Sequence, residues 1–191
     1  MELTRPATPS AASRWKAAGW DYVVIIGWLA VLAAVAALAR LSGLVPDSAS
    51  DGEAPLVVAD LGVFAATVLP VWLYFTLQEA GPRHAGPGKQ RAGLRVAVDD
   101  GAPAGSGAPV GPGPGRTAVR NAVKWLPWQL AHLAVTRAIL GSDEWVVMAI
   151  SYGLSLLLPV LSLGMAWRDP ASRALHDRLA GTVVVPAAVV P

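Results

Sequence analysis

Apolar positions gather into four blocks separated by polar stretches. The first, Tyr22 to Leu41, meets no charge before Arg40; the second, Leu56 to Leu77, carries only Asp60; the last, Trp145 to Trp167, carries none. Each matches the roughly 20 helical residues that cross a hydrocarbon core about 30 Å thick. Inside lipid such a block has to be helical, because every backbone N–H and C=O must find its partner within the segment. The third block, about Asn121 to Leu140, is mixed and contains Lys124, Pro127, Gln129, His132 and Arg137. Taken alone it reads as an amphipathic interfacial helix. Its polar residues, Lys124 or Trp125, Trp128 or Gln129, His132 and Thr136, recur at three- and four-residue steps and form one stripe.

Charge decides between those two readings. With residues 1–20, 78–124 and 168–191 on one side, 13 of the 15 Lys and Arg lie there, and the exceptions, Arg40 and Arg137, sit at far helix ends. The positive-inside rule makes that side the cytoplasm. The other loops carry Asp47, Asp51, Glu53, Asp143 and Glu144. The expectation is an all-α membrane protein: a four-transmembrane-helix bundle with helices 1 and 2 in residues 21–77, helices 3 and 4 in 121–167, and both termini cytoplasmic. Six tryptophans (Trp15, Trp20, Trp125, Trp128, Trp145, Trp167) fall near the expected helix ends, as in an aromatic belt. The first apolar block exceeds the 7–15 residues of a signal-peptide core, so it is expected to be retained.

Two short Val-rich stretches, Leu94 to Val98 and Thr182 to Val185, read as strands bounded by Gly or Pro. Neither can satisfy its own edges, so they are expected to pair as a small cytoplasmic two-strand element. Within the basic loop 78–120, residues 99–115 are dominated by Gly and Pro and read as a flexible linker.

Composition agrees: 54% of the chain is hydrophobic, mean hydropathy is +0.48 and only 15% is charged. Cysteine is absent, which excludes disulfides and thiolate metal sites. A net charge of +2 gives no reason to expect nucleic acid. His84 and His176 lie far apart without HExxH spacing, so no zinc site is expected. Gly86-Pro87-Gly88-Lys89 is not a phosphate loop, because Arg83 stands at the first Gly position and Gln90 follows the Lys. No nucleophile–base arrangement is visible, so neither an enzyme nor a cofactor is expected.

Three motifs remain. Arg14-Trp-Lys-Ala-Ala-Gly-Trp-Asp21 opens helix 1, Gly88-Lys-Gln-Arg-Ala-Gly-Leu-Arg-Val96 follows helix 2, and Leu175-His-Asp-Arg-Leu-Ala-Gly-Thr-Val-Val184 closes the chain. Together they resemble the RDD family of bacterial membrane proteins, whose Arg and two Asp would here be Arg14, Asp21 and Asp177. The chain departs from the family pattern at His84-Ala85-Gly86-Pro87, where Gly-x-Thr-x usually stands. The resemblance implies a bacterial plasma-membrane protein and a transport-like role, with an unidentified ligand or with proton or cation coupling. The residues themselves leave a second expectation open: a non-transporting scaffold or accessory subunit of a larger complex.

Arg14 and Asp21 share a helix face about 10 Å apart along the axis. Direct pairing would need a third group between them, for which Asp177 or Arg178 qualifies. Asp21, Asp60 and His132 are the candidate ion or ligand path, since ionisable groups within membranes are costly; the alternatives are an ion-pair network for Asp21, an interfacial acid for Asp60 and a packing histidine for His132. Arg83, Lys89, Arg91 and Arg95 are expected to meet anionic lipid headgroups. Four helices are few for a carrier, so a homo-oligomer or a membrane-protein partner is expected.

Overall fold

The computed structural model describes residues 8–44, 55–99 and 110–187. Helix α1 (Ala11–Leu41) starts eleven residues before the first apolar block, capped by Ser10, whose hydroxyl accepts from the Ser13 N–H. Helix α2 (Leu56–Ala80) carries one π-helical turn at Phe64–Val68. The cause is Pro70. It has no N–H for the Ala66 carbonyl four residues back, and the helix widens there. The Trp28 indole N–H of α1 donates to that carbonyl at 3.0 Å instead. A short helix α3 (Pro87–Arg91) leads into strand β1 (Leu94–Val98). Helix α4 (Pro114–Ile139) and helix α5 (Trp145–Arg168) complete the long elements, each with an internal proline, Pro127 and Pro159. Helix α6 (Leu175–Ala180) and strand β2 (Thr182–Pro186) form the tail.

Three helices, α1, α2 and α5, are long and apolar enough to cross a membrane, with mean hydropathies of 2.5, 2.1 and 2.1. Little of them is buried within the chain: large residues such as Leu38, Val57, Leu161 and Trp167 point outward. Such faces suit hydrocarbon and not water. Helix α4 falls outside that set; it holds the polar stripe and packs between α2 and α5.

Along the seam, α2 and α4 run antiparallel. Glu79 meets Asn121, Phe75 meets Trp125, and Asp60 meets Arg137. The core is therefore small: Ile25, Val68, Val71, Phe75 and Trp125, flanked by Trp28, Trp72 and Trp128. At the end of the bundle that holds the start of α1, termed here the near end, β1 and β2 pair antiparallel from Leu94 with Pro186 to Val98 with Thr182. The expected strand pairing is borne out. The linker expectation needs correction at its close: Pro112 is fully buried, and Pro114 and Gly115 already belong to α4. Residues 100–109 of that linker, like Asp47, Asp51 and Glu53, lie outside the described residues.

Candidate functional site

The last turn of α2 sets the site. Glu79 is completely buried, one turn beyond Thr76 on the same face. Its Oε1 accepts from Lys89 Nζ at 2.8 Å and Arg120 Nη1 at 3.3 Å; its Oε2 accepts from Arg120 Nη1 at 3.1 Å and Asn121 Nδ2 at 3.0 Å. Arg120 Nε turns the other way and donates to Asp177 Oδ1 at 3.1 Å. Asp177 also accepts from Thr182 Oγ1 at Oδ1 and from the Ala174 N–H at Oδ2, so it caps α6 as well. Asp21 accepts the Gly88 N–H at 3.1 Å and Lys124 Nζ at 3.3 Å, with Lys89 Nζ at 3.8 Å. Three acids (Asp21, Glu79, Asp177) and three cations (Lys89, Arg120, Lys124) thus form one continuous network, buried except at the half-buried Lys124. They come from α1, α2, α3, α4 and α6.

Local structure explains this convergence. α3 lies against α1 because Gly88 has no side chain: a Cβ there would stand 2.0 Å from the Ala17 carbonyl oxygen. That approach brings Lys89 inward, between Glu79 and Asp21. The left-handed Gly181 (φ 60°) then ends α6 and turns the chain into β2.

Arg14 does not reach Asp21. Its guanidinium donates to the Ser172 and Ala171 carbonyls, at 2.7 and 3.4 Å, and so holds the turn that precedes α6. Arg178 pairs with Asp169 at 2.9 Å and not with the Arg14–Asp21 face. Asp169 also accepts from Arg173, which bridges to Asp99 beside β1. Burial would raise the Asp169 carboxyl; hydrogen bonds from Arg173 and from the Ala171 and Arg173 N–H groups outweigh it and hold it at about 2. Burial likewise opposes ionisation of Asp177, yet Arg120 and His176 keep its carboxyl below the ordinary range.

The profile of the RDD family matches residues 8–181. The chain belongs to the RDD family. Comparison with curated proteins and with solved structures finds no match. Arg14, Asp21 and Asp177, the three residues to which the sequence motifs pointed, are gathered at one end of the bundle, but each engages different partners: two tail carbonyls, two lysines and Arg120.

The three residues of the expected path do not meet. Asp21 is 4% exposed and lies in the near-end network. Asp60 pairs with Arg137 at 2.5 Å, and Arg137 also holds Glu144 at 2.7 Å, 13 residues or about 20 Å along α4 from Lys124. His132 lies between them, its Nδ1 2.9 Å from the Trp128 carbonyl and its ring against the Trp128 indole. The headgroup expectation also needs correction. Lys89 is 6% exposed and tied to Glu79, so it is a network residue; Arg95 is half-buried. Arg83 and Arg91 stay exposed, with Arg91 over the Trp20 ring at 4.0 Å.

Sequence reasoning did not single out Glu79, and it counted Arg120 only as a topology charge. A signal existed: Glu79 is an acid two residues past the second apolar block and two residues before Gly81-Pro82.

His176 supplies a pH prediction for this RDD protein. Burial first, then Arg120 and the two lysines, push its imidazole down to about 3, despite Asp177 beside it. The folded chain therefore keeps His176 neutral where an unfolded chain, with a value about 6.5, protonates it. Its contribution to stability is present in full above about pH 6.5 and is lost steadily toward pH 3. Asp169, depressed, contributes above about 3.8 and loses that only toward pH 2. Thermal unfolding in detergent should give a midpoint that falls between pH 7 and 4.5, and His176→Asn should flatten that slope. An unchanged slope in the variant would assign the pH dependence elsewhere.

Proposed function

We propose that this RDD protein is a membrane scaffold or accessory subunit whose buried charge network fastens a polar cap (α3, β1, α6 and β2) to the helix bundle as a platform for a partner. One observation carries this: all six carboxylate oxygens of Asp21, Glu79 and Asp177 already accept from groups of the chain itself. An acid that must exchange ions or protons needs an oxygen accessible to them; these are committed to fixing chain segments together. Burying charges is costly, and its best-attested return is one specific arrangement. Asp60 serves the same purpose at the far end, tying α2 to α4 through Arg137.

The test is reconstitution. Purified protein in proteoliposomes should pass protons, sodium and potassium no faster than protein-free vesicles. Flux that depends on Asp21 or Glu79 would overturn the scaffold reading.

A second reading, an ion- or ligand-conducting protein, has one observation of its own. Asn121 Oδ1, Trp125 Nε1 and Gln129 Oε1 are buried without partners at four-residue steps along α4, with Thr76 Oγ1 unpartnered on α2. Buried polar atoms in this state commonly bond to water. That stripe runs from the network toward Arg137. If it conducts, Gln129→Leu lowers the flux measured in the same vesicles.

We read α4 as the fourth crossing, with both termini in the bacterial cytoplasm. Its 26 residues span about 39 Å, and its polar stripe faces α2 in the bundle. The charge asymmetry of the loops supports the orientation. Because the chain has no cysteine, a single Ser142→Cys reports directly. Four crossings put that position outside, reactive with an impermeant maleimide in intact cells. Labelling only after permeabilisation would instead leave α4 in the interface.

A further inference from the structure

The near end of α1 carries a notch that the charge network does not use. Its walls are Lys16, Gly19, Trp20 and Val23, one turn after another on a single exposed face. Arg91 arrives from α3 and lies over the Trp20 ring at 4.0 Å, so two cations flank one indole. Among the described residues, neither Lys16 nor Arg91 pairs with a carboxylate, unlike Lys89, Arg120 and Lys124. Beyond the notch the same helix presents Val23 and Ile26, each more than half exposed. The floor is open because position 19 is glycine: a Cβ there would meet nothing within 4 Å.

We propose that this notch is a binding site for one anionic phospholipid, with its phosphate on Lys16 and Arg91 and an acyl chain along Val23 and Ile26. Depth supports that occupant. If the hydrocarbon boundary lies at Tyr22, where the apolar block begins, Lys16 stands six residues or about 9 Å outside it and Trp20 about 3 Å outside. The headgroup zone is roughly 5–8 Å deep on each side, so both residues flank the phosphate level. Trp20 and Arg91 fit it well, an amphipathic ring at the boundary carrying a guanidinium that can offer two N–H donors to phosphate. A free phosphate would use the cations but leave the apolar half unused. The inference depends on the chain residing in a bilayer and not on whether the network conducts.

Native mass spectrometry of the full chain, purified in detergent and mixed with phosphatidylglycerol and phosphatidylcholine, tests this. Wild type should retain phosphatidylglycerol preferentially. Each cation near the surface is worth about five-fold in affinity, so Lys16→Gln with Arg91→Gln should lose about 25-fold. Gly19→Leu keeps both charges but fills the floor, and it should lose the lipid as well. Its fold is checked by an unchanged unfolding midpoint. Arg83→Gln, an exposed cation outside the notch, should bind like wild type. Three results would overturn the proposal: Gly19→Leu binding like wild type, phosphatidylcholine retained equally, or displacement by inorganic phosphate at concentrations that leave other bound lipid in place. The last would mark an anion site without a lipid.

Discussion

Glu79→Gln is expected to lower the unfolding midpoint of the purified protein by roughly 6–20 °C and to reduce its abundance in membranes. The substitution is nearly isosteric, so packing is kept. What changes is charge and direction. Glu79 accepts from Lys89, Arg120 and Asn121, all donors. A glutamine amide turns an NH2 group toward one of them and leaves two cations, 6% and 2% exposed, with one fewer counter-charge. Removing one partner of a buried pair costs about 3–5 kcal/mol, a large share of a total near 5–15 kcal/mol. At about 2–4 °C per kcal/mol for a chain of this size, the quoted range follows. The sharper test is the double variant. Glu79→Gln with Lys89→Met removes an acid and a cation together while Arg120 keeps Asp177. Its loss should be clearly smaller than the sum of the two single losses, the signature of direct coupling. Additive losses would show that Glu79 and Lys89 act separately. A wild-type midpoint in Glu79→Gln, combined with altered ion flux, would replace the fastening role with a conducting one.

Gly88→Ala is expected to be as damaging, by a different route. One methyl group at position 88 would sit 2.0 Å from the Ala17 carbonyl oxygen and 2.6 Å from Asp21 Oδ1. The first contact is backbone, so no side-chain rotation relieves it, and α3 must withdraw from α1. Overpacking alone costs about 1–3 kcal/mol. Withdrawal adds more: the Gly88 N–H leaves Asp21, and Lys89 is pulled from both its acids. Unfolding in detergent should therefore show a loss of similar size to Glu79→Gln. Two controls separate this from a general intolerance of alanine. Gly62→Ala, on α2, meets nothing within 4 Å and should leave the midpoint unchanged or slightly raised. Ala17→Gly should fail to rescue Gly88→Ala, because the obstructing atom is a carbonyl oxygen that glycine also carries. Rescue would show that the clash is relieved by a backbone shift and that the α1–α3 contact is looser than its geometry indicates.

The outline of the fold was legible because the signals behind it are local. A run of apolar residues fixes a helix wherever water is absent, and so the blocks ending at Leu41 and starting at Leu56 and Trp145 agree with the observed helix limits. Strand propensity in Leu94 to Val98 and Thr182 to Val185, with two edges to satisfy, forecast their pairing. Other features had no local signal. The start of α1 at Ala11 depends on a Ser10 cap and on docking against the tail. Pro70 frees the Ala66 carbonyl, and the group that takes it up, the Trp28 indole, comes from another helix.

The site divides the same way. Motif reading singled out Arg14, Asp21 and Asp177 and their clustering near one end, but not their partners. Arg14 and Asp21 share a face of one helix, yet the cations that neutralise Asp21, Lys89 and Lys124, come from α3 and α4, 68 and 103 residues away. Glu79 went unremarked because a lone acid at a helix end is ordinary in sequence; only complete burial beside Lys89, Arg120 and Asn121 makes it the hub. The sequence by itself determined which segments suit a membrane, where the basic loops gather, which stretches pair as strands and that the motifs are those of an RDD protein. Tertiary structure alone decided which charge meets which, that Lys89 turns inward while Arg91 turns to the surface, and that Asp21, Asp60 and His132 stand apart. The reason is physical: helix and strand formation follow from neighbours within a few residues, whereas an ion pair depends on the approach of segments distant in sequence, which a single glycine such as Gly88 can permit or forbid.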